Sequence, residues 1–276
     1  MSWKRSSAAF ASGNKNPRPK GTVFMKKKIA GMGNHQNQKP PERLNPTEAR
    51  DLLLRGTRAL DLNLAPEQID QFLVYLDLLL KWNRKMSLTA LRTPTEIISR
   101  HFLDSLLLLP YLPETGRLLD IGSGAGFPGL PLKIARPGLT IDLVEATAKK
   151  VSFLKEAVRR LGLSGVEVWP LFLGKSPMPI DSANPWEVFI SRGVNLEVVL
   201  KAVEPYWESR SRLLLMKGKN WEEEISGLNP LLKKLEIIVD QTVTITPPLS
   251  KREWVLVILK KSNHLTGLEY NYHTLV

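Results

Sequence analysis

Between Leu118 and Gly129 the chain reads Leu-Leu-Asp-Ile-Gly-Ser-Gly-Ala-Gly-Phe-Pro-Gly. Glycine spacing and one carboxylate set the chemistry open to this stretch. Leu118 and Leu119 end a short apolar strand. Gly122, Gly124 and Gly126 turn the chain sharply, and Pro128 stands where a first helical turn would begin. Leu130, Leu132 and Ile134 carry the pattern into a helix. A glycine turn lets backbone amides approach a ligand closely, with a helix N-terminus behind them. Asp120 precedes the first glycine by two positions. An acidic residue there, with alternate glycines after it, suits the nucleoside and amino-acid ends of S-adenosylmethionine (SAM). Gly124-Ala-Gly126-Phe-Pro-Gly129 also spells the dinucleotide fingerprint GxGxxG, and a ligand-free strand-to-helix turn is a third reading. The place of Asp120, the glycines directly after the strand, and a paired-strand pattern at the end of the chain favour SAM over a nicotinamide dinucleotide.

That turn has to be held by the elements on either side. Before it, residues 46–111 read as helical throughout. Asn45-Pro46-Thr47-Glu48 has the form of an N-cap, a proline at the first helical position and an acidic first turn. Pro66-Glu67 opens a second helix, with Ile69, Phe72, Leu73, Leu76 and Leu80 at spacings of three and four on one buried stripe. Pro94-Thr95-Glu96 opens a third element and Arg100 to Tyr111 a fourth, with Pro110 and Pro113 ending the region. His101 and Asp104, three apart on that helix, are positioned to pair with each other.

From Arg117 onward, strands and helices alternate. Strands are expected at Thr140–Glu145, Gly165–Trp169, Glu187–Ser191 and Arg212–Lys217. Helices are expected at Lys149–Leu161, Asn195–Tyr206 and Trp221–Lys234. In the first of these helices Val151, Leu154, Val158 and Leu161 share a face. Such alternation implies a parallel sheet covered on both faces. Two closing strands, Glu236–Thr246 and Arg252–Lys260, are separated by too few residues for a crossover and must pair antiparallel. A parallel sheet finished by one antiparallel strand is the architecture expected of SAM-dependent methyltransferases.

With 276 residues, 43% hydrophobic and 24% charged, the chain has the composition of a soluble globule able to bury a full core. No apolar run approaches the ~20 residues needed to span a bilayer, and no N-terminal apolar run resembles a signal peptide. The chain has no cysteine, which excludes disulfides, thiolate metal sites and a thiol nucleophile, and fits a cytoplasmic location. No His or carboxylate cluster has metal-ligand spacing. The net charge of +12 is uneven. Nine of the 39 basic residues lie in the first 40 positions with no acidic residue among them, leaving 30 against 27 in the remainder. That basic segment, poor in apolar residues, is expected to be disordered. It would either hold RNA phosphates or result from an upstream start, with Met25 and Met32 as later starts.

The ordered motifs resemble the GidB/RsmG family. They are Trp82-Asn-Arg-Lys-Met-Ser-Leu-Thr89, Arg100-His-Phe-Leu-Asp-Ser-Leu106, Asp120 to Gly129 followed by Pro131-Leu132, Ile190-Ser191-Arg192, and Met216-Lys217-Gly218. The resemblance covers roughly residues 66–260. Ser87, Gly193 and the segment Leu171-Phe-Leu-Gly-Lys175 depart from the usual pattern, the last where the family usually shows an acidic pair. The resemblance implies an α/β fold of the Rossmann-like class I SAM-dependent methyltransferase type, with a mostly parallel seven-stranded sheet and an N-terminal helical cap. It implies methylation of the N7 atom of a guanine in small-subunit (16S) ribosomal RNA, by a monomer that acts on that RNA or on the small ribosomal subunit, away from membranes. The expected organisation is a basic extension over 1–43, the cap over 44–114, the SAM-binding domain over 115–262 and a tail over 263–276.

The implied cofactor contacts are Asp120, Gly122, Gly124, Gly126, Phe127, Glu145, Leu173, Gly174 and Arg192, and the implied catalytic pair is Arg192 and Lys217. Glu145, ending the second strand, can accept both ribose hydroxyls, or is simply an acidic residue at a helix start. Backbone amides of Leu173 and Gly174 would serve the adenine. Arg192 would hold the methionine carboxylate or an RNA phosphate, or pair within its loop. Guanine N7 carries a lone pair and no proton, so no general base is needed, in keeping with a sequence that offers no evident one. Carbon-5 methylation of pyrimidines needs a cysteine nucleophile, which is absent. Exocyclic-amine methylation usually places Asn or Asp, Pro, Pro and an aromatic after the fourth strand, where this chain has Ser191-Arg192-Gly193; Asn184-Pro185-Trp186 lies before that strand. Ribose 2′-O methylation, with Lys217 as base, is the alternative within the class. A non-catalytic SAM- or nucleotide-binding protein and an NAD-dependent oxidoreductase are the alternatives outside it. Lys149, Lys150, Lys155, Arg159 and Arg160 make one helix face basic, by default a solvated face and otherwise an RNA-docking one.

Overall fold

The computed structural model describes residues 44–174, 177–178, 184–250 and 252–262. The expectations for residues 1–43 and 263–276 lie outside them. Helix α1 (Pro46–Arg58) starts at Asn45, whose side chain accepts the Glu48 N–H while Glu48 accepts the Asn45 N–H, a reciprocal capping box. Helix α2 (Pro66–Met86) ends at Ser87 in the left-handed conformation, φ 50°. Its buried stripe is Ile69, Phe72, Tyr75, Leu76 and Leu79, and the expected stripe members Leu73 and Leu80 are half-buried on its flanks. Thr93 caps α3 (Pro94–Ile97), which runs through a π-helical stretch, Ile98–Leu103, into α4 (Asp104–Leu106).

Seven strands follow: β1 (Gly116–Ile121), β2 (Leu139–Val144), β3 (Val166–Trp169), β4 (Val188–Arg192), β5 (Arg212–Lys217), β6 (Ile237–Ile245) and β7 (Trp254–Lys261). Their spatial order is β3-β2-β1-β4-β5-β7-β6. β3-β2-β1-β4-β5 pair in parallel, and β7 runs antiparallel to both β5 and β6. The antiparallel strand is therefore inserted inside the sheet, and β6 forms the edge. Helices α5 (Gly129–Ala135), α6 (Ala148–Leu161) and α7 (Leu196–Val203) occupy the crossovers. The expected single helix over 221–234 is instead two, α8 (Trp221–Ser226) and α9 (Asn229–Lys234). Pro230 has no N–H to donate back to residue 226, so the helix ends and restarts there with proline in its first turn.

Period-two alternation divides the strands between two cores. Leu118, Ile141, Leu143, Val188 and Ile190 face a cluster shared with α2, the π-helical stretch, α5 and α6. Leu119, Ile121, Val144, Phe189 and Leu213 face a second cluster shared with α7, α8 and α9. The helices preceding β1 thus cover one sheet face directly. Asp142 is a buried anchor on β2. It accepts from Arg117 Nε (2.8 Å), Trp169 Nε1 (2.9 Å) and Trp186 Nε1 (2.6 Å), which gives Trp186 of the Asn184-Pro185-Trp186 segment a structural role.

Candidate functional site

The sheet changes direction between β1 and β4: the chain proceeds outward through β2 and β3 on one side, and through β4 and β5 on the other. Ligands of open α/β sheets bind outside the carboxyl ends of the strands at such a point. β1 ends here in the glycine turn and β4 ends in Arg192.

Gly122, Gly124 and Gly126 have φ of +71°, +61° and +93°, a region that side chains rarely tolerate. Their surroundings differ. A Cβ on Gly122 would collide with Val194, and one on Gly126 with Leu130 and the Tyr75 hydroxyl, whereas one on Gly124 would meet nothing nearer than the Gly122 carbonyl at 3.9 Å. Gly124 is therefore the open point of the turn. Its N–H donates to Glu145 Oε2 at 3.0 Å, and Glu145 Oε1 accepts the Thr147 N–H at 2.8 Å. Glu145 is buried at the end of β2. Each of its oxygens keeps a further lone pair for a donor.

Asp120 is fully buried beneath the turn. Its Oδ2 accepts the Gly129 N–H at 2.9 Å, and its Oδ1 has no hydrogen-bond partner. Burial pushes this carboxyl up to about 7, against the pull of the Gly129 N–H and the Arg192 charge. A buried orphan oxygen, and a carboxylate with lone pairs to spare beside an uncrowded glycine, fit a ligand with a donor-rich polar end and vicinal hydroxyls, as SAM has.

Arg192 is aimed beneath the preceding helices. Its Nη2 donates to His101 Nδ1 at 2.6 Å, and its guanidinium carbon sits 5.8 Å from the Phe127 ring centre. The His101 ring lies flat on Phe127, 4.2 Å between centres and 15° between planes. Tyr75 stacks on Phe127 from α2, at 5.5 Å and 24°, and its hydroxyl donates to the Ala125 carbonyl. His101 does not pair with Asp104, contrary to the helical spacing. His101 lies in the π-helical stretch, whose wider turn removes the i, i+3 alignment of an α-helix. Asp104 instead accepts from Trp254 Nε1 at 2.9 Å and leaves its Oδ1 unpartnered. Burial raises its carboxyl to about 6. Among the described residues, Arg192 forms no ion pair within its loop or elsewhere.

The structure thus brings Asp120, Gly122, Gly124, Gly126, Phe127, Glu145 and Arg192 to one strand edge. Leu173 and Gly174 stand in the turn after β3, whose last carbonyl, Trp169, accepts the Glu145 N–H. That segment therefore leaves the sheet beside Glu145, and Gly174 has φ +74° with open space around it. Lys217 ends β5 one position beyond the Arg192–Met216 pairing, but its amine donates to Glu224 of α8 at 2.7 Å. On the basic helix α6, Arg159 and Arg160 both pair with Glu156, and Lys150 lies 4.0 Å from Glu145. Sequence reasoning gave no role to Tyr75, Thr89 or Trp254. Tyr75 carries the one polar tip on the otherwise apolar stripe of α2, the signal that could have singled it out.

Comparison with known proteins supplies the context for this geometry. Residues 68–253 match the family described as GidB, rRNA small subunit methyltransferase G. The chain is 38% identical over 210 residues to a Ribosomal RNA small subunit methyltransferase G of Desulfotalea psychrophila, covering 75% of this chain and 96% of that one. It is 35% identical over 201 residues to the protein of that name from Syntrophotalea carbinolica, covering 72% and 92%. The counterpart in Acetivibrio thermocellus is 33% identical over 214 residues, covering 77% and 88%. Identity at this level over about three quarters of the chain, with a family match that runs from α2 to the residue before β7, means that the chain belongs to the GidB family of rRNA small subunit methyltransferases.

Proposed function

We propose that this protein transfers a methyl group from SAM to N7 of a guanine in small-subunit ribosomal RNA. The observation that carries the reading is the uncrowded Gly124 turn, its amide held by Glu145, at the switch point of the sheet, within a chain of this family. SAM supplies, when bound, an electrophilic methyl on a sulfonium. Glu145 accepts the ribose hydroxyls, and Asp120 with the Gly122–Phe127 turn receives the amino-acid end. The amides of Leu173 and Gly174 border the adenine. Arg192 contributes positive charge for the methionine carboxylate or an RNA phosphate. The protein's task is alignment, since the N7 lone pair is the nucleophile and no proton has to be removed. The ribose alternative asks Lys217 to act as a base, yet its amine is committed to Glu224. The protein acts as a cytoplasmic monomer, with residues 44–114 as a cap on a SAM-binding domain over 115–262. No helix among the described residues is long and apolar enough to cross a membrane.

The test is borohydride–aniline cleavage, which cuts RNA at N7-methylguanine. Small-subunit RNA treated with the protein and SAM is expected to be cut at a new position. A methylated product that resists cleavage overturns the N7 assignment.

A further inference from the structure

A second group, Thr89–His101–Arg192, lies in contact with the glycine turn and joins the segment after α2, the π-helical stretch and the end of β4. We infer that His101 is a positioning residue that fixes the Arg192 guanidinium at the site through its Nδ1, its own ring being locked by Thr89 and Phe127. The inference rests on the methyltransferase reading above, in which Arg192 is part of the site.

The geometry determines the protonation pattern of the ring. Arginine has no acceptor, so the 2.6 Å contact from Nη2 requires a lone pair on His101 Nδ1. The ring is then neutral and its proton is on Nε2, which donates to Thr89 Oγ1 at 2.8 Å. Burial and the nearby Arg192 and Arg100 charges hold His101 down at about 3, in agreement with that tautomer. Three contacts therefore fix the imidazole. Phe127 takes its face, Thr89 takes one nitrogen, and the other nitrogen points at Arg192.

The choice of partner has a chemical consequence. Two buried carboxylates, Asp104 and Asp120, act electrostatically on Arg192, and each has one oxygen without a hydrogen-bond partner. A guanidinium bonded to either would be neutralised. Bonded to a neutral ring, it keeps its charge for an incoming anion. Thr89 and His101 belong to different segments of the cap, so the cap takes part in placing a strand-end cation.

The experiment measures turnover at saturating SAM and RNA, the RNA KM and SAM affinity, in the full chain. His101→Phe keeps a ring stacked on Phe127 and removes the acceptor. Turnover is expected to fall about 100-fold, the cost of misplacing a group by ~1 Å, with RNA KM near that of the wild type. His101→Asn, whose amide oxygen can stand near the Nδ1 position, should restore most of the loss. His101→Gln, with its amide nearer the Nε2 position, should not. In an Arg192→Ala background, His101→Phe should add no further loss, because the two residues act as one unit. Full turnover in His101→Phe, or an independent loss in the Arg192→Ala background, overturns the inference. Should His101→Phe not fold, the Asn and Gln variants decide: equal turnover in the two overturns it. A wild-type protein that methylates no small-subunit RNA would refute the underlying reading, a result distinct from any of these.

Discussion

At the residue scale, the glycines of the turn are not equivalent, and that difference gives two sharp tests. Gly122 and Gly126 are held by neighbouring side chains, while Gly124 faces open space. Gly124→Arg would place a bulky side chain where a ligand must approach, at a strain of ~1–2 kcal/mol for a left-handed residue. That is small beside a typical stability of about 5–15 kcal/mol, so the variant is expected to fold and to lose SAM binding. Calorimetric titration with SAM checks this, and unchanged affinity in a folded variant would place the ligand elsewhere. Asp120 gives a pH test. Its carboxyl is raised from 3.8 to about 7 by burial, so between those values the folded chain binds more protons than the unfolded one. Its contribution to stability is intact below pH ~4 and is lost as pH rises through 7. Asp120→Asn can still accept the Gly129 N–H without that penalty. It is expected to raise the melting temperature at pH 8 relative to wild type, with the gain shrinking toward pH 4. A gain independent of pH would mean that the Asp120 carboxyl is not raised in the folded chain.

At the element scale, the site depends on α2 as much as on β1. The Tyr75 hydroxyl reaches the Ala125 carbonyl across fifty positions of sequence, and its ring lies in a stack with Phe102 and Phe127. Tyr75→Phe preserves the stack and leaves the carbonyl without its donor. A loss of about 1–3 kcal/mol is expected for an unsatisfied buried acceptor, read by chemical denaturation, together with weaker SAM binding. Undiminished SAM affinity would mean that the turn holds its shape without the helix. Signals confined to a few residues were legible in the sequence. Asn45 caps α1 and Pro94 opens α3 as read, strands alternate with helices from β1 onward, and the glycine turn leads from strand to helix. Contacts set by tertiary packing were not. Helical spacing placed His101 opposite Asp104, and only the π-helical stretch turns one toward Arg192 and the other toward Trp254. Likewise, the expected stripe omits Tyr75, because period 3.6 reports a buried face without reporting what lies beneath it.

At the scale of the whole molecule, charge and machinery are separated along the chain. Every residue placed at the site lies between Tyr75 and Trp254, within or one position beyond the family match over 68–253, while nine basic residues without an acidic one stand in the first 40 positions. The first described helix carries its own cap at Asn45, so a chain beginning at Leu44 retains the start signal of α1. We expect that truncation to keep SAM affinity and turnover at saturating RNA. RNA affinity at low salt should fall, because long-range attraction to phosphate grows with the number of cations that can reach it. The salt dependence separates the two possible roles of the segment. Each phosphate that the shortened chain no longer neutralises should reduce the slope of log K against log salt by roughly 0.7–0.9. A truncated chain with the same slope as the full one would show that residues 1–43 do not touch the RNA. Loss of SAM binding on truncation would make them part of the catalytic fold. A reduced slope with turnover intact would give the segment the role its charge suggests: it raises the encounter rate with a polyanion, and the strand edge performs the chemistry.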